Sequence, residues 1–314
     1  MASRNRHERG NQAVGGREVA EARDIVTSDR LLKRIPRFLD AVRFLESIFA
    51  LPFAYSGMVL AANGLPAWEK ILWITVAMVS ARTLGMSANR IIDRTIDAQN
   101  PRTAMRHLPA GLLRLSDMVT LSVIAGAVFF VAASLLNTLA LSLAPVAAAY
   151  LIFYPYTKRF TWAASFFLGW ALAIAPSAAW IGVQGSLDWA PVVLSTSVAL
   201  WAAGFDILYH AQDRQFYTER GLHSVSRRFG ISASFRIAQT LDVLAVCCLL
   251  TVGVLLDLSV AYYVGCVVAA GVIAYKYRMV SPNDLSRMGV AFMRTNAFVS
   301  LSVFAGTLVD VLVL

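Results

Sequence analysis

Long apolar runs, separated by short polar connections, recur from about residue 43 to the end of the chain. Hydropathy and run length predict nine spans, at 43–62, 71–88, 117–136, 138–156, 162–183, 189–210, 236–256, 258–275 and 290–312. Each approaches the ~20 residues that a helix needs to cross a hydrocarbon core. In lipid, only helices and closed barrels keep every backbone group paired. Continuous runs favour helices over the ~10-residue alternating segments of barrel strands. The pattern predicts an all-α polytopic membrane protein, a bundle of about nine transmembrane helices. Residues 1–37 are polar and lack apolar periodicity, so they read as a disordered cytoplasmic tail, with no apolar core for a cleavable signal peptide. Residues 38–314 form the transmembrane domain. No repeat of 20–50 residues is apparent.

Composition agrees. The chain is 58% hydrophobic and 15% charged, against ~45–50% and about a quarter in soluble domains. A net charge of +9 raises the question of nucleic acid, but its distribution is topological. Ten Lys/Arg precede or just enter the first span. The rest fall mainly in the 89–116 connection, at Lys158 and Arg159, and in 212–236 and 276–294, while the alternate connections hold only Lys70. Basic residues accumulate in cytoplasmic loops. The amino terminus is therefore expected in the cytoplasm and the carboxyl terminus outside, as in an integral inner-membrane protein of prokaryotic type, and no nucleic-acid partner is required. Cys247, Cys248 and Cys266 lie within spans at neither metal nor disulfide spacing and read as small packing residues.

Two polar cassettes fall on that one cytoplasmic side. In the first, "NRIIDRTIDAQNPRTAMRHLPAG" (89–111), Asn89, Asp93 and Asp97 are four apart and share a helical face, with Arg82 on nearly the same face but deeper. Two carboxylates and an amide oxygen stacked in this way invite a hard cation such as Mg²⁺, which is commonly shared with substrate phosphates. Arg102 and Arg106 follow, suited to phosphate oxygens. Any one of these residues also fits a helix cap or a solvated loop; the three oxygen donors together fit that bland reading poorly. An arginine inside a span marks either a functional site or an internal ion pair. In the second cassette, "GFDILYHAQDRQFYTERGLHSVSRRFG" (204–230), Asp206 and Asp213 are two turns apart, with Tyr209 and His210 between them and Arg214, Arg220, Arg227 and Arg228 after. Two such helix ends in one compartment outline a cavity where two Mg²⁺ ions clamp one diphosphate. Lys158 and Arg159 add a basic pair, readable equally as phosphate ligands or as membrane anchors. His107, His210 and His223 form no ligand pair for haem or zinc, and no nucleotide-binding or nucleophile-elbow motif is present.

At these residues the sequence resembles the UbiA superfamily of intramembrane aromatic prenyltransferases, in its 4-hydroxybenzoate polyprenyltransferase-like branch. The resemblance rests on Asn89-x₃-Asp93-x₃-Asp97, on Asn100-Pro101-Arg102-Thr103, on the 205–230 stretch, and on "FALPFAY" and "YTKRFTW"; it covers roughly 38–300. It implies nine helices around a central cavity, two Mg²⁺ ions, and Mg-dependent transfer of an isoprenyl chain from a polyprenyl diphosphate to a hydroxylated aromatic acid in quinone biosynthesis. Carried over by position, Asn89, Asp93 and Asp97 hold one metal and Asp206 and Asp213 the second. Arg82, Arg102, Lys158 and Arg159 meet the diphosphate, with Asp93, Asp206 and Arg82 as the catalytic set. One departure stands out: family members commonly carry an acid four residues after the position of Asp213, where this chain has Tyr217. Tyr154, Tyr156 and Tyr209 are candidates to face an allylic cation, the first two reading more readily as interfacial-belt residues. The alternatives are a dihydroxynaphthoate-type menaquinone precursor as acceptor, or a transporter of an anionic substrate. A transporter predicts polar residues at mid-span in several helices.

Overall fold

The computed structural model describes residues 36–43 and 47–313. The expected tail, apart from its last two residues, lies outside them. Among the described residues there are nine long helices: α1 Ser47–Ala62, α2 Trp68–Gln99, α3 Leu115–Leu136, α4 Thr138–Phe153, α5 Ala164–Gln184, α6 Trp189–Ala211, α7 Ile231–Leu255, α8 Val260–Met279 and α9 Met288–Val313. Eight are long and apolar enough to cross a membrane, and α1, with 16 residues and Pro52 inside it, is a shorter apolar helix. No strand occurs among the described residues. The chain is therefore an integral, multi-pass membrane protein.

Neighbours in sequence pack as neighbours in space: α2 on α3, α3 on α4, α5 on α6, α6 on α7 and α8 on α9. Two longer connections close the bundle, because α1 packs on both α5 and α9. Small residues let backbones approach, as is usual between membrane helices. A Cβ on Gly57 would lie 2.4 Å from the Pro176 carbonyl oxygen of α5, and one on Gly169 2.3 Å from that of Ala199 on α6. One face is tied by Lys70, whose Nζ donates to the last carbonyls of α3 (Leu136, 2.8 Å) and near the end of α5 (Gly182, 2.9 Å). Those carbonyls are the negative ends of helix dipoles. The lone basic residue of that side is thus a shared helix cap. Asn137 accepts from the Ala140 amide at 2.8 Å, starting α4 immediately after α3.

Charged groups do occur within spans. Lys276 of α8 pairs with Asp242 of α7 at 2.7 Å, and both side chains are buried. Asp310 of α9 accepts from Ser259 and from the Tyr262 amide. Asp242 Oδ1 itself has no hydrogen-bond partner among the described residues, and none of Asp242, Lys276 and Asp310 lines the cavity that holds Asp93 and Asp206.

Candidate active site

The first cassette is a continuation of α2. Expected to leave the membrane near residue 88, this helix runs on to Gln99, 32 residues in all, or about 48 Å. Its last three turns extend the face bearing Asn89, Asp93 and Asp97. Pro101 prevents further helix, and the chain folds back in turns. There Asn100 Oδ1 accepts from the Arg102 amide (3.0 Å), and Thr103 Oγ1 donates to the Asp97 carbonyl (3.0 Å). This turn aims Arg102 and Arg106 at the carboxylates.

The second cassette is built differently from its spacing. Helix α6 ends at Ala211, so Asp213 is not two turns below Asp206 on one helix. It lies in the following turn, at the start of the short helix Arg214–Glu219. The two carboxylates still line one cavity, together with Asn89, Asp93 and Asp97. Of the basic residues that follow, Arg214 and Arg227 donate to the loop carbonyls of Ser226 and Leu222, and Arg228 lies over the Trp162 ring. They hold the 214–230 loop and do not line the cavity. The loop is fastened by the His223 amide, which donates 2.8 Å to the Lys158 carbonyl.

All four carboxylates are at most 5% exposed, and each has a basic partner. Lys158 Nζ lies 2.5 Å from Asp93 Oδ2. Arg106 Nη1 reaches both Asp97 oxygens at 2.8 Å, and His210 Nδ1 lies 3.0 Å from Asp206 Oδ2. Asp213 is held by the fork of Arg102, through Nε at 2.9 Å and through Nη2, and by Asn100 Nδ2 at 3.1 Å. Burial alone would raise the Asp213 carboxyl, but the Arg102 hydrogen bond and charge outweigh it and hold it below the ordinary range. The guanidinium is raised correspondingly: burial opposes its charge and Asp213 more than restores it. Asp93 Oδ1 is buried without an aligned hydrogen bond, although Arg159 Nη1 is 3.2 Å away.

Arg82, Arg102 and Lys158 line this cavity. Arg159 does not: its guanidinium donates to the carbonyls of Pro155 (3.0 Å) and Ile92 (2.8 Å), which pins the turn Tyr154–Arg159 against α2. Among the tyrosines, Tyr154 and Tyr209 line the cavity, whereas Tyr156 is exposed beneath Arg159. Tyr154 is thus a cavity residue and not a belt residue. Tyr217, 4% exposed, also faces inward, its ring 5.7 Å from that of His210. Burial, reinforced by the Asp213 charge, raises its phenol well above the usual value, so it remains neutral.

Several lining residues have no counterpart among the sequence candidates. Phe53, Trp201 and Phe205 form an aromatic floor, with ring centroids 5.3 and 5.0 Å apart along the series. Asn296 of α9 and Arg90 also line the space. Along Arg82, Met86, Tyr154 and Leu172, the cavity of about 220 Å³ shares a wall with an apolar chamber of about 110 Å³ lined by Leu51, Met78, Leu151 and Ile174. The arrangement places oxygen donors and basic groups at a polar mouth, aromatic rings beneath them, and apolar space beyond.

Known proteins share this plan. The 4-hydroxybenzoate octaprenyltransferase of Vibrio cholerae is 30% identical over 254 residues, covering 81% of this chain and 89% of that protein. The enzyme of the same name from Saccharophagus degradans is also 30% identical, over 81% and 84%. The apo structure of a UbiA homolog from Aeropyrum pernix superposes with a TM-score of 0.78 at 30% identity, over 85% of this chain and 98% of that one. A UbiA homolog from Archaeoglobus fulgidus bound to GPP and Mg²⁺ has a TM-score of 0.59 over 85% and 99%, and at 17% identity it speaks to the fold alone. Residues 50–301 match the sequence profile of the UbiA prenyltransferase family, and with so much of the chain covered by profile and relatives alike, the protein belongs to that family.

Proposed function

We propose that the protein transfers an isoprenyl chain from a polyprenyl diphosphate to a hydroxylated aromatic acid of the 4-hydroxybenzoate type, in quinone biosynthesis, with Mg²⁺ as cofactor. The observation that carries this reading is the convergence of Asn89, Asp93, Asp97, Asp206 and Asp213 on one polar mouth above an aromatic floor and an apolar chamber. The names of the relatives point to the same donor and acceptor classes.

On the α2 side the donor set fits a divalent ion: an amide and two carboxylates on one face, with a buried Asp93 oxygen lacking an aligned hydrogen bond. No three acidic, His or Cys side chains gather into a ligand cluster among the described residues. Such a site leaves coordination positions to waters and diphosphate oxygens, which is how Mg²⁺ is usually held. When bound there, the ion would offset the charge that builds on the departing diphosphate. Lys158, Arg102 and Arg82 meet the remaining phosphate oxygens. Phe53, Trp201, Tyr154 and Phe205 face the allylic carbon with their π-clouds and exclude water from it. The prenyl tail leads away through the apolar chamber. Attack by the acceptor ring, followed by loss of its proton, completes the new carbon–carbon bond.

Orientation follows the Lys/Arg distribution: amino terminus and cavity mouth on the cytoplasmic side, carboxyl terminus outside. The transmembrane unit is taken to begin near residue 38, a reading supported by the packing of Phe38, Ala41 and Val42 with Leu113 and Met118.

The acceptor decides between the two quinone readings. With geranyl diphosphate and equal concentrations of 4-hydroxybenzoate and 1,4-dihydroxy-2-naphthoate, mass spectrometry should find the prenylated benzoate as main product. A prenylated naphthoate alone would overturn the acceptor while leaving the reaction class intact.

A further inference from the structure

The two carboxylate walls of the cavity are not equivalent. On the α2 side, Asp93 is held by Lys158, a flexible single-point partner, with Arg159 Nη1 3.2 Å from an Oδ1 that has no aligned hydrogen bond, and Asp97 meets only one nitrogen of Arg106, which spans both its oxygens at 2.8 Å. On the α6 side, Asp213 accepts from Arg102 Nε (2.9 Å), Arg102 Nη2 and Asn100 Nδ2 (3.1 Å). A cation binding there would have to displace a two-pronged guanidinium as well as an amide. Arg102 is held further by Tyr209, whose Oη accepts from Nη1 at 2.7 Å and whose ring centroid lies 4.7 Å from the guanidinium carbon. The other carboxylate of this wall, Asp206, is in contact with His210. One helical turn beyond Asp213, where a third oxygen ligand would stand, the cavity meets the phenol of Tyr217. Six basic side chains, Arg43, Arg82, Arg90, Arg102, Arg106 and Lys158, already line the space against four carboxylates. The α6 wall thus does not fit the second ion of a two-metal site.

We infer that this protein holds its substrate diphosphate with one divalent ion, on the α2 side, and that the Arg102 guanidinium locked by Asp213 stands where a second ion would otherwise bind. The inference rests on the prenyl diphosphate reading above and adds the metal stoichiometry. Asp213 is then a positioning residue, acting through Arg102, and not a metal ligand. A guanidinium presents two parallel N–H donors to a phosphate, so it does a cation's work on the leaving group without metal coordination.

The test counts ions. The full-length protein in lipid nanodiscs is titrated with Mn²⁺ in the presence of geranyl S-thiolodiphosphate, an unreactive donor analogue, and bound Mn²⁺ is measured by electron paramagnetic resonance. One Mn²⁺ per chain with an uncoupled spectrum is expected. Asp93→Asn should abolish it, and Asp213→Asn should leave the count at one. Arg102→Lys should weaken analogue binding about tenfold or more, since a point charge replaces the fork, again with the count at one. The double change Tyr217→Asp with Arg102→Ala should admit a second ion and produce a spin-coupled pair. Two ions on the unaltered protein would overturn the inference while preserving the diphosphate reading. No ion with the analogue bound would overturn both. Because the unaltered protein decides the count, a variant that fails to fold alters neither of these outcomes.

Discussion

Asp93 is 1% exposed, touches Lys158 and Arg159, and faces the cavity. Replacing it with Asn keeps its shape and removes its charge, so prenyl transfer should fall by roughly 100-fold or more while thermal unfolding stays cooperative. Unchanged turnover would remove Asp93 from the site. The Arg102–Asp213 link makes a different prediction. A carboxyl held below its ordinary pKa contributes stability that is fully present above its unfolded value of ~3.9 and disappears as pH falls through the lowered folded value. The loss of stability in Arg102→Ala should therefore be constant between pH 5 and 9, as read by thermal unfolding. At this scale the Asn89, Asp93, Asp97 stripe was legible because a helical period fixes its face. The break before Asp213 was not, since Gln212 ends α6 without a proline or glycine to announce it. Phe53, Trp201 and Phe205 were illegible for another reason: in an apolar span, an aromatic ring reads the same whether it packs in a core or faces a cavity.

Helix contacts set how firmly those residues are placed. Gly169 lets α5 approach α6, the helix that carries Asp206. In Gly169→Ala the new methyl must displace the Ala199 carbonyl, costing about 1–3 kcal/mol and lowering the unfolding temperature. Gly271→Ala on α8, which meets nothing within 4 Å, should be neutral. The Asp242–Lys276 pair offers a second test between α7 and α8. Lys276→Met leaves a buried carboxylate without its cation, at a cost of about 3–5 kcal/mol, whereas Asp242→Leu combined with Lys276→Met should recover most of it. Equal losses in the single and double variants would mean that the pair contributes only by packing. The nine elements were legible because each apolar run must hydrogen-bond to itself. The apolar run of α2 ends near residue 88 while the helix continues eleven residues further; the four-residue spacing of Asn89, Asp93 and Asp97 announced that helical face, but its neutralisation by Lys158 and Arg159 from a distant segment had no local signal.

Across the whole molecule, a polar mouth, an aromatic floor and an apolar chamber follow one another from α2 and α6 toward α4 and α5. Leu172 stands where cavity and chamber meet. In Leu172→Trp, kcat/KM for octaprenyl diphosphate should fall about tenfold or more, the size of discrimination a filled apolar pocket gives, with geranyl diphosphate much less affected. The most direct measurement uses the unaltered full-length protein in lipid, with geranyl diphosphate and 4-hydroxybenzoate, in Mg²⁺ and in EDTA, and reads the product by mass spectrometry. A prenylated benzoate formed with Mg²⁺ and absent in EDTA is the predicted result. The same product formed equally in EDTA, or no prenylated ring with either aromatic acceptor, would contradict it.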